Sequence, residues 1–411
     1  MDIVPHDIKQ LRNHSYNEDI IPYGKHFVDE EDIQAVVNTL RSNHLTQGPL
    51  INDFEEAISQ YVGSKYAVAV SSCTAGLHIA CKSLGINSES IVAVPTNSFV
   101  STANCASFLG AKIEFFDINI DSLNISIDKL EEYLSCGNHI DLVIAVHFAG
   151  FPVELERLYF LSSRYGFKII EDAAHALGSK QSNGKRIGSC EFSDISVFSL
   201  HPVKSIAAGE GGVITTNNEK IYMSLLRLRS HGINKGSDEL LNKEYAFTGD
   251  NRNLWYYEMR ELGFHYRITD IQCALALSQL KKLNNFIERR RDLASYYRKK
   301  IESINFINPA QKESESLTSN HIFPVRIDFD TLNIKRNDLM IYLRKNLIYT
   351  QVHYIPIPIH PYYKNMGYEV KDYKNSMLYF KEALTLPLFY QLKNNQVDYV
   401  LKILKMFFQK A

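Results

Sequence analysis

The sequence predicts an α/β protein, with a large domain built on a mainly parallel central sheet covered by helices on both faces, and a smaller α+β domain at the carboxyl end. Three observations carry this. Short apolar runs alternate with helical stretches through the first half: YAVAV (66–70), IVAVP (91–95), IEFFDI (113–118), DLVIAVHF (141–148), FKIIED (167–172), ISVFSL (195–200) and GVITT (212–216). Past about residue 217 the rhythm changes to long helical stretches. The chain's 411 residues are also more than one small core organises.

Taken in order, the first twenty residues, MDIVPHDIKQLRNHSYNEDI, mix charge with short apolar pieces and read as an arm. They lack the basic start and apolar core of a signal peptide. From residue 29, DEEDIQAVVNTLRS begins acidic and carries apolar residues at helical spacing, as a capped amphipathic helix does. PLINDFEEAISQYVG (49–63) reads as a second helix. The strand-like runs are then interleaved with AGLHIACKSLG, VSTANCASFLG and VELERLYFLSSRYG, which cover the sheet. ITDIQCALALSQLKKLNNFIERRRDLASYYRKKI (268–301) is one long helix, and its arginines 289 to 291 are expected to form a solvated face. After the polar QKESESLTSN (311–320), HIFPVRIDF is expected to open the smaller domain as a strand. The divisions expected are an arm over 1–20, a large domain over 21–255 and a small domain over 256–411. In such sheets ligands collect at the carboxyl ends of the strands.

Lys plus Arg at 45 against Asp plus Glu at 46 leaves a net charge of −1, which recruits neither nucleic acid nor an anionic membrane. A small-molecule substrate is the better expectation. The six cysteines form no CxxC pair and read as reduced thiols of a cytoplasmic protein. No stretch approaches the roughly 18 apolar residues of a membrane span. The fourteen histidines show no HExxH or similar ligand spacing, so no metal is expected. GxGxxG and Walker patterns are missing from the sequence, which disfavours a Rossmann dehydrogenase or a nucleotide-triphosphate enzyme.

One lysine stands out. Lys204 lies in FSLHPVKSIAAGEGGVITT, thirty-two residues after Asp172 of IIEDAAHALG, at a junction between two strand-like runs. Half-burial there lowers an amine's pKa and makes it a nucleophile near neutral pH. Most lysines are solvated charges, so the surroundings must decide. Pyridoxal phosphate needs a lysine for its aldehyde, a carboxylate for its pyridine nitrogen, donors for its phosphate and a face to lean on. Asp172 ends an apolar run and can supply the carboxylate, although alone it could equally be a helix cap. SSCTAGLHIA follows a strand and opens a helix, so the amides of Thr74 and Ala75 can face an anion. Ser199 can add a hydroxyl, and Phe99 of PTNSFVSTAN can stack on the ring or simply be core.

The chain resembles the DegT-type sugar-nucleotide aminotransferases, fold type I pyridoxal phosphate transferases with the aspartate aminotransferase-like architecture. The likeness runs from IPYGKHFVDEEDI to the end, through TQGP (46–49), SSCTAGLH, HFAG (147–150), EDAAHALG, SLHPVK with GEGG, and YRITDIQ (266–272). It implies Lys204 as the residue that holds the cofactor and shuttles the proton, Asp172 on the pyridine nitrogen and His175 near the ring hydroxyl. Thr74, Ala75 and Ser199 would hold the phosphate, with Phe99 stacking. His265 stands where relatives have an Asn that reaches the neighbouring subunit's phosphate, which leaves that contact open. Cys73 stands where they usually have Gly, and Gly76 where they often have Ala, so a slightly shifted loop is expected. The branch that dehydrates or deoxygenates sugars has histidine in place of the lysine, and Lys204 argues against it.

Further details, TLRSNHLTQGP, SCEFSDISVFSLHPVK, RLRSHGI, WYYEMRELGFHYRITDIQ and QVHYIPI, are similar to the members that serve pseudaminic acid biosynthesis. By that resemblance the acceptor is a UDP-linked N-acetylated 4-keto-6-deoxy sugar, L-glutamate is the donor, and the enzyme is a homodimer with shared active sites. Tyr23, His26, Gln47, His353 and Tyr354 are the candidate substrate contacts, and Arg267 either reaches the partner's site or braces YRITD. The alternatives are another nucleotide-linked ketosugar, carried by dTDP or GDP, or a non-catalytic sensor that kept the fold. Intact Lys204 and Asp172 weigh against the sensor.

Overall fold

The computed structural model describes residues 20–234, 240–312 and 317–409. Residues 1–19 of the expected arm, and part of the polar stretch 311–320, lie outside it. Helix α1 (Glu30–Leu40) starts on a reciprocal cap between Asp29 and Asp32, and α2 (Pro49–Val62) has Pro at its first position and stops at Gly63, whose φ of 86° suits a residue without Cβ. The seven apolar runs are all strands: β1 (Tyr66–Val70), β2 (Ile91–Pro95), β3 (Lys112–Phe116), β4 (Leu142–Val146), β5 (Lys168–Asp172), β6 (Ile195–Ser199) and β7 (Gly212–Thr216). Between and after them come α3 (Cys73–Ser83), α4 (Ser101–Ser107), α5 (Ile127–Ser135), α6 (Leu155–Tyr165) and α7 (Glu219–Arg229).

The strands form one sheet in the order β1-β7-β6-β5-β4-β2-β3. β7 runs antiparallel to β1 and β6, and the other pairings are parallel. Side chains alternate between two cores, as a pleated strand requires: Ala67, Ala69, Val143 and Ala145 face one, and Val68, Val70, Leu142 and Ile144 the other. Both faces are therefore apolar, which explains why the strands read as continuous hydrophobic runs.

Helix α8 (Asp270–Ile301) joins this sheet to the carboxyl-terminal part. Its first half, through Cys273, Ala276, Leu283 and Phe286, packs into the core under α2, and its second half, through Leu293, Tyr297 and Ile301, packs into a separate core. That second core covers a three-stranded sheet of β8 (Asn308–Pro309), β9 (Phe323–Arg326) and β10 (Ala383–Leu386), with helices α9 (Arg336–Lys345) and α10 (Asn394–Phe408). Ile21 belongs to the same core and bridges Ile348. Between α7 and α8 the chain forms two short ladders, 233–234 with 258–259 and 247–248 with 251–252, where long helices were expected.

The arginine triplet is not a solvated face. Arg289 donates to the Leu392 carbonyl, Arg290 to those of His321 and Leu388, and Arg291 to that of Thr318. Successive helical residues are about 100° apart, so three in a row cannot share one exposed face. Here they fan out to bind the chain that enters the second domain.

Candidate active site

The sequence-marked residues meet where the parallel strands end. Asp172 is the last residue of β5 and is buried. Its Oδ2 accepts from Thr102 Oγ1 at 2.7 Å and its Oδ1 from the Ala174 amide at 3.2 Å, while Thr102 also contacts Ser98 Oγ at 2.6 Å. Burial raises its pKa, and the Thr102 and Ala174 donors, then the Lys204 charge, oppose that rise. Beside it, Glu171 points to the other sheet face, where it bonds His147 Nε2 at 2.9 Å and the Ser193 hydroxyl. His147 Nδ1 accepts from the Val153 amide, so its Nε2 carries the proton toward Glu171.

Lys204 follows β6 on a turn closed by its amide to the His201 carbonyl at 2.8 Å. Burial lowers its pKa to about 8, against the pull of Cys73 and Asp172. Cys73 shares this space, its thiol pushed well up by burial and by Asp172, with Lys204 opposing.

The anion cup is at the start of α3. Ser72 caps the helix and its Oγ accepts from the Ala75 amide at 3.1 Å, so that donor is engaged by the cap. Cys73 and Thr74 are the first-turn amides with no acceptor inside the helix. Sequence reasoning missed the Cys73 amide because it weighed only that residue's side chain. Ser199 pairs in register with Gly212 at the mouth of the same cup, and its Oγ accepts from the His201 amide at 3.4 Å. GEGG has a steric reason: a Cβ on Gly212 would lie 2.7 Å from Cys73 N and from the Ser72 carbonyl group. Gly76 has one too, since a Cβ there would lie 2.8 Å from Val197 Cγ1, so its place under α3 follows from close packing on the sheet.

His175 and Tyr354 form a second arm of the site. His175 Nδ1 accepts from the Ala149 amide at 3.2 Å, so Nε2 carries the proton and donates to Tyr354 Oη at 3.0 Å. Burial, then Lys204 and His353, holds the His175 pKa well below its usual value, and burial raises that of Tyr354. Both are neutral, and the Tyr354 hydroxyl proton is left to donate into the site. The Tyr354 amide is held by Asn97 Oδ1 at 3.1 Å, and Phe99, 56% exposed, has its ring centroid 6.1 Å from that of Tyr354. An open aromatic face beside the site is what a stacking residue needs.

The remaining candidates divide. His353 turns inward, with Nδ1 2.9 Å from Thr385 Oγ1 and a pKa lowered to about 3 by burial and by Lys204. Tyr23 has its ring 5.5 Å from that of His353 and its carbonyl bonded by the Leu388 amide. His26 and Lys25 line a cavity beside Lys204, with Phe27, Phe286 and Arg290 in its wall. Gln47 is exposed at φ 56° on a loop pinned by Asp270, which accepts from the Gly48 and Leu50 amides. Arg267 donates to Ser230 Oγ, and His265 is exposed with its ring 5.3 Å from that of His231. Neither residue reaches the Lys204 cluster of its own chain. Among the described residues no cluster of three His, Cys, Asp or Glu side chains could share a metal ion, and no helix is long and apolar enough to cross a membrane.

A buried amine of lowered pKa, a buried carboxylate at a strand end, two free amides at a helix start and an open ring face together fit pyridoxal phosphate, each meeting one of its four demands. The comparisons agree. The DegT/DnrJ/EryC1/StrS aminotransferase family matches residues 27–405. The UDP-4-amino-4,6-dideoxy-N-acetyl-beta-L-altrosamine transaminase of Campylobacter jejuni is 34% identical over 382 residues, 93% of this chain and 96% of that one. Among solved structures, Helicobacter pylori PseC, an aminotransferase involved in the biosynthesis of pseudoaminic acid, superimposes with a TM-score of 0.83 at 27% identity, covering 95% of this chain and 100% of that one. The PLP form of Spr1654 from Streptococcus pneumoniae gives 0.83 at 27%, covering 95% and 99%.

Proposed function

The chain belongs to the DegT/DnrJ/EryC1/StrS aminotransferase family, and from that premise we propose that it carries an amino group from L-glutamate to carbon four of a UDP-linked N-acetylated 4-keto-6-deoxy sugar, in pseudaminic acid biosynthesis. It is a pyridoxal-phosphate-dependent sugar aminotransferase. The UDP-sugar acceptor is supported by the Campylobacter relative, which matches across nearly the whole of both chains and is named for the amino sugar such a transfer produces.

When bound, the cofactor supplies an aldehyde to accept the donor's nitrogen and an electron-poor ring that acidifies the neighbouring C–H. The protein's own residues do the rest. Lys204, with its pKa near 8, is neutral often enough at physiological pH to take a proton from carbon and return it. Asp172 presents a carboxylate to the ring nitrogen, oriented by Thr102 and Ala174. Thr74, Cys73 and Ser199 would hold the phosphate, and Phe99 would stack on the ring. Tyr354, oriented by His175, would donate to the ring hydroxyl. His26, Tyr23 and Gln47 would contact the acceptor sugar, and the His353 ring packs against that of Tyr354.

The protein works as a homodimer in this reading. Leu254, Trp255, Tyr257, Met259 and Leu262 are 99%, 70%, 59%, 64% and 72% exposed, an apolar strip of the kind partners cover. His265 is exposed beyond its end and in this reading would contact the partner's phosphate. Replacing Trp255 by Asp is expected to give a folded monomer by sedimentation, with activity lost; a dimer of full activity would refute the shared site. The six free thiols suit the reducing cytoplasm.

The substrate assignment is tested by absorbance. L-glutamate should convert the cofactor band to that of the aminated form, and the UDP-linked keto sugar should restore it. Response to glutamate without restoration by this sugar, but with restoration by a dTDP- or GDP-linked ketosugar, would replace the acceptor.

A further inference from the structure

His147 and Glu171 are buried polar side chains with no use in the scheme above, 0% and 1% exposed. Both are fully engaged. His147 Nε2 lies 2.9 Å from one Glu171 oxygen, the Ser193 hydroxyl donates to the other, and His147 Nδ1 accepts from the Val153 amide at 3.0 Å. The imidazole therefore ties the end of β5 to the chain just beyond the turn 147–151. An apolar pair of similar volume would fill this space without the desolvation that a carboxylate suffers. What the polar pair adds is a fixed turn.

That turn closes through the Gly150 amide to the His147 carbonyl at 3.1 Å and the Phe151 amide to the Phe148 carbonyl at 2.9 Å, and the His147 amide reaches the Asp172 carbonyl at 3.2 Å. Ala149 within it has a φ of 57°, a left-handed backbone that is strained for a residue with a Cβ. Strain of this kind persists only where the surroundings over-determine it. Both backbone groups of Ala149 serve histidines: its amide donates to His175 Nδ1 at 3.2 Å, and its carbonyl accepts from the His321 amide at 3.1 Å. The first contact decides where a proton sits. With Nδ1 accepting, the neutral His175 imidazole carries its proton on Nε2 and donates to Tyr354 Oη at 3.0 Å, so the phenol keeps its own proton. Without the Ala149 amide the ring is free to adopt the other tautomer and accept the Tyr354 proton, which then no longer points into the site.

We propose that His147 and Glu171 are positioning residues for the reaction: they hold the turn that presents the Ala149 amide, which fixes the His175 tautomer and keeps the Tyr354 hydroxyl proton for the ring oxygen of the bound cofactor. This rests on the reading that places Tyr354 at that oxygen. His147 and Glu171 act only through His175 and move no proton themselves.

Two signals test it. NMR of apoprotein carrying isotope-labelled histidine, with the His175 nitrogens assigned by their loss in His175→Gln, should find the proton on Nε2 in the wild type. In Glu171→Ala, with its melting transition retained, the proton should sit on Nδ1 or exchange between the two nitrogens. A His175 that kept the wild-type tautomer in that variant would overturn the proposal. In the holoenzyme, a donor to the ring oxygen lowers the proton affinity of the lysine-bound nitrogen. The pH titration of the cofactor band should therefore move up by about one pH unit in Tyr354→Phe and by a similar amount in Glu171→Ala. Both changes remove the same hydrogen bond, so the double variant should titrate like Tyr354→Phe alone. Additive shifts would mean that Glu171 acts elsewhere, as through its neighbour Asp172, and would overturn the proposal. Glu171→Gln can still accept from His147 and donate to Ser193, and it should match the wild type in both signals. Should Glu171→Ala not fold, His147→Phe combined with Glu171→Met removes both partners together and carries the same two tests. An unmoved band in Tyr354→Phe would overturn the placement of Tyr354 at the ring oxygen and the proposal with it, and would leave the aminotransferase assignment standing.

Discussion

Replacing Lys204 by alanine is expected to lower transamination by a factor on the order of 10⁴ while leaving the fold intact. The size follows from the lack of a substitute. The titratable side chains that feel the charge of Lys204 include Asp172, which accepts from Thr102 and Ala174, Cys73, held protonated by burial, His201, its pKa lowered by burial, and His175, His321 and His353, held neutral by burial. None presents a base with a pKa near the working pH. The fold should survive because the amine is costly to bury and its removal relieves that cost. The spectrum gives an independent reading: the variant should lose the band of the lysine-bound cofactor. In the wild-type apoenzyme, cofactor uptake should rise with pH and level off above about 8, because the neutral amine is the nucleophile and burial has brought its pKa there from 10.5. A Lys204→Ala protein with full turnover, or uptake that falls as pH rises to 8, would rule out this role.

The Asp172→Asn variant should cost roughly 10²- to 10³-fold in rate, comparable to removing one fixed electrostatic partner from a water-excluded site. The substitution is nearly isosteric. Its amide oxygen can still accept from Ala174, and its NH₂ can donate to Thr102 Oγ1, which can turn to donate to Ser98. The melting temperature should therefore change little. What disappears is the negative charge that this mechanism sets against the ring nitrogen, and with it the electron demand that would acidify the substrate carbon. Weaker cofactor binding should accompany the slower rate. If Asp172→Asn turned over normally, Asp172 would be a structural cap for Thr102 and Ala174 and no more.

Both residues were legible in the sequence for one reason: each is placed by a local pattern. Asp172 ends an apolar run that can only be a buried strand, and Lys204 follows another. The seven strands, the capped helices α1 and α8, and the helix start at Cys73 follow from the same short-range signals. Arg290 was not legible as a buried group, because RRR in a long helix has the composition of a solvated face. The angular spacing of three consecutive helical residues was the available signal, and it says that at least one must turn inward. The Ser72 cap could also have been read from SSCTAG, where a serine three residues before Ala75 claims that amide and leaves Cys73 and Thr74.

The sequence by itself determined the alternation that builds the sheet, the lysine and carboxylate at its strand ends and the glycines that let β7 approach α3, because each depends on periodicity or on a residue's own steric reach. Tertiary structure alone decided which donors remain free, which imidazoles are neutral, that His353 faces Thr385 while Tyr354 faces His175, and that Arg290 is buried beside Lys204. Those outcomes depend on desolvation and on partners up to 179 residues away, as between His175 and Tyr354. A pKa or an unpaired donor belongs to the packed environment, which no local window of residues contains.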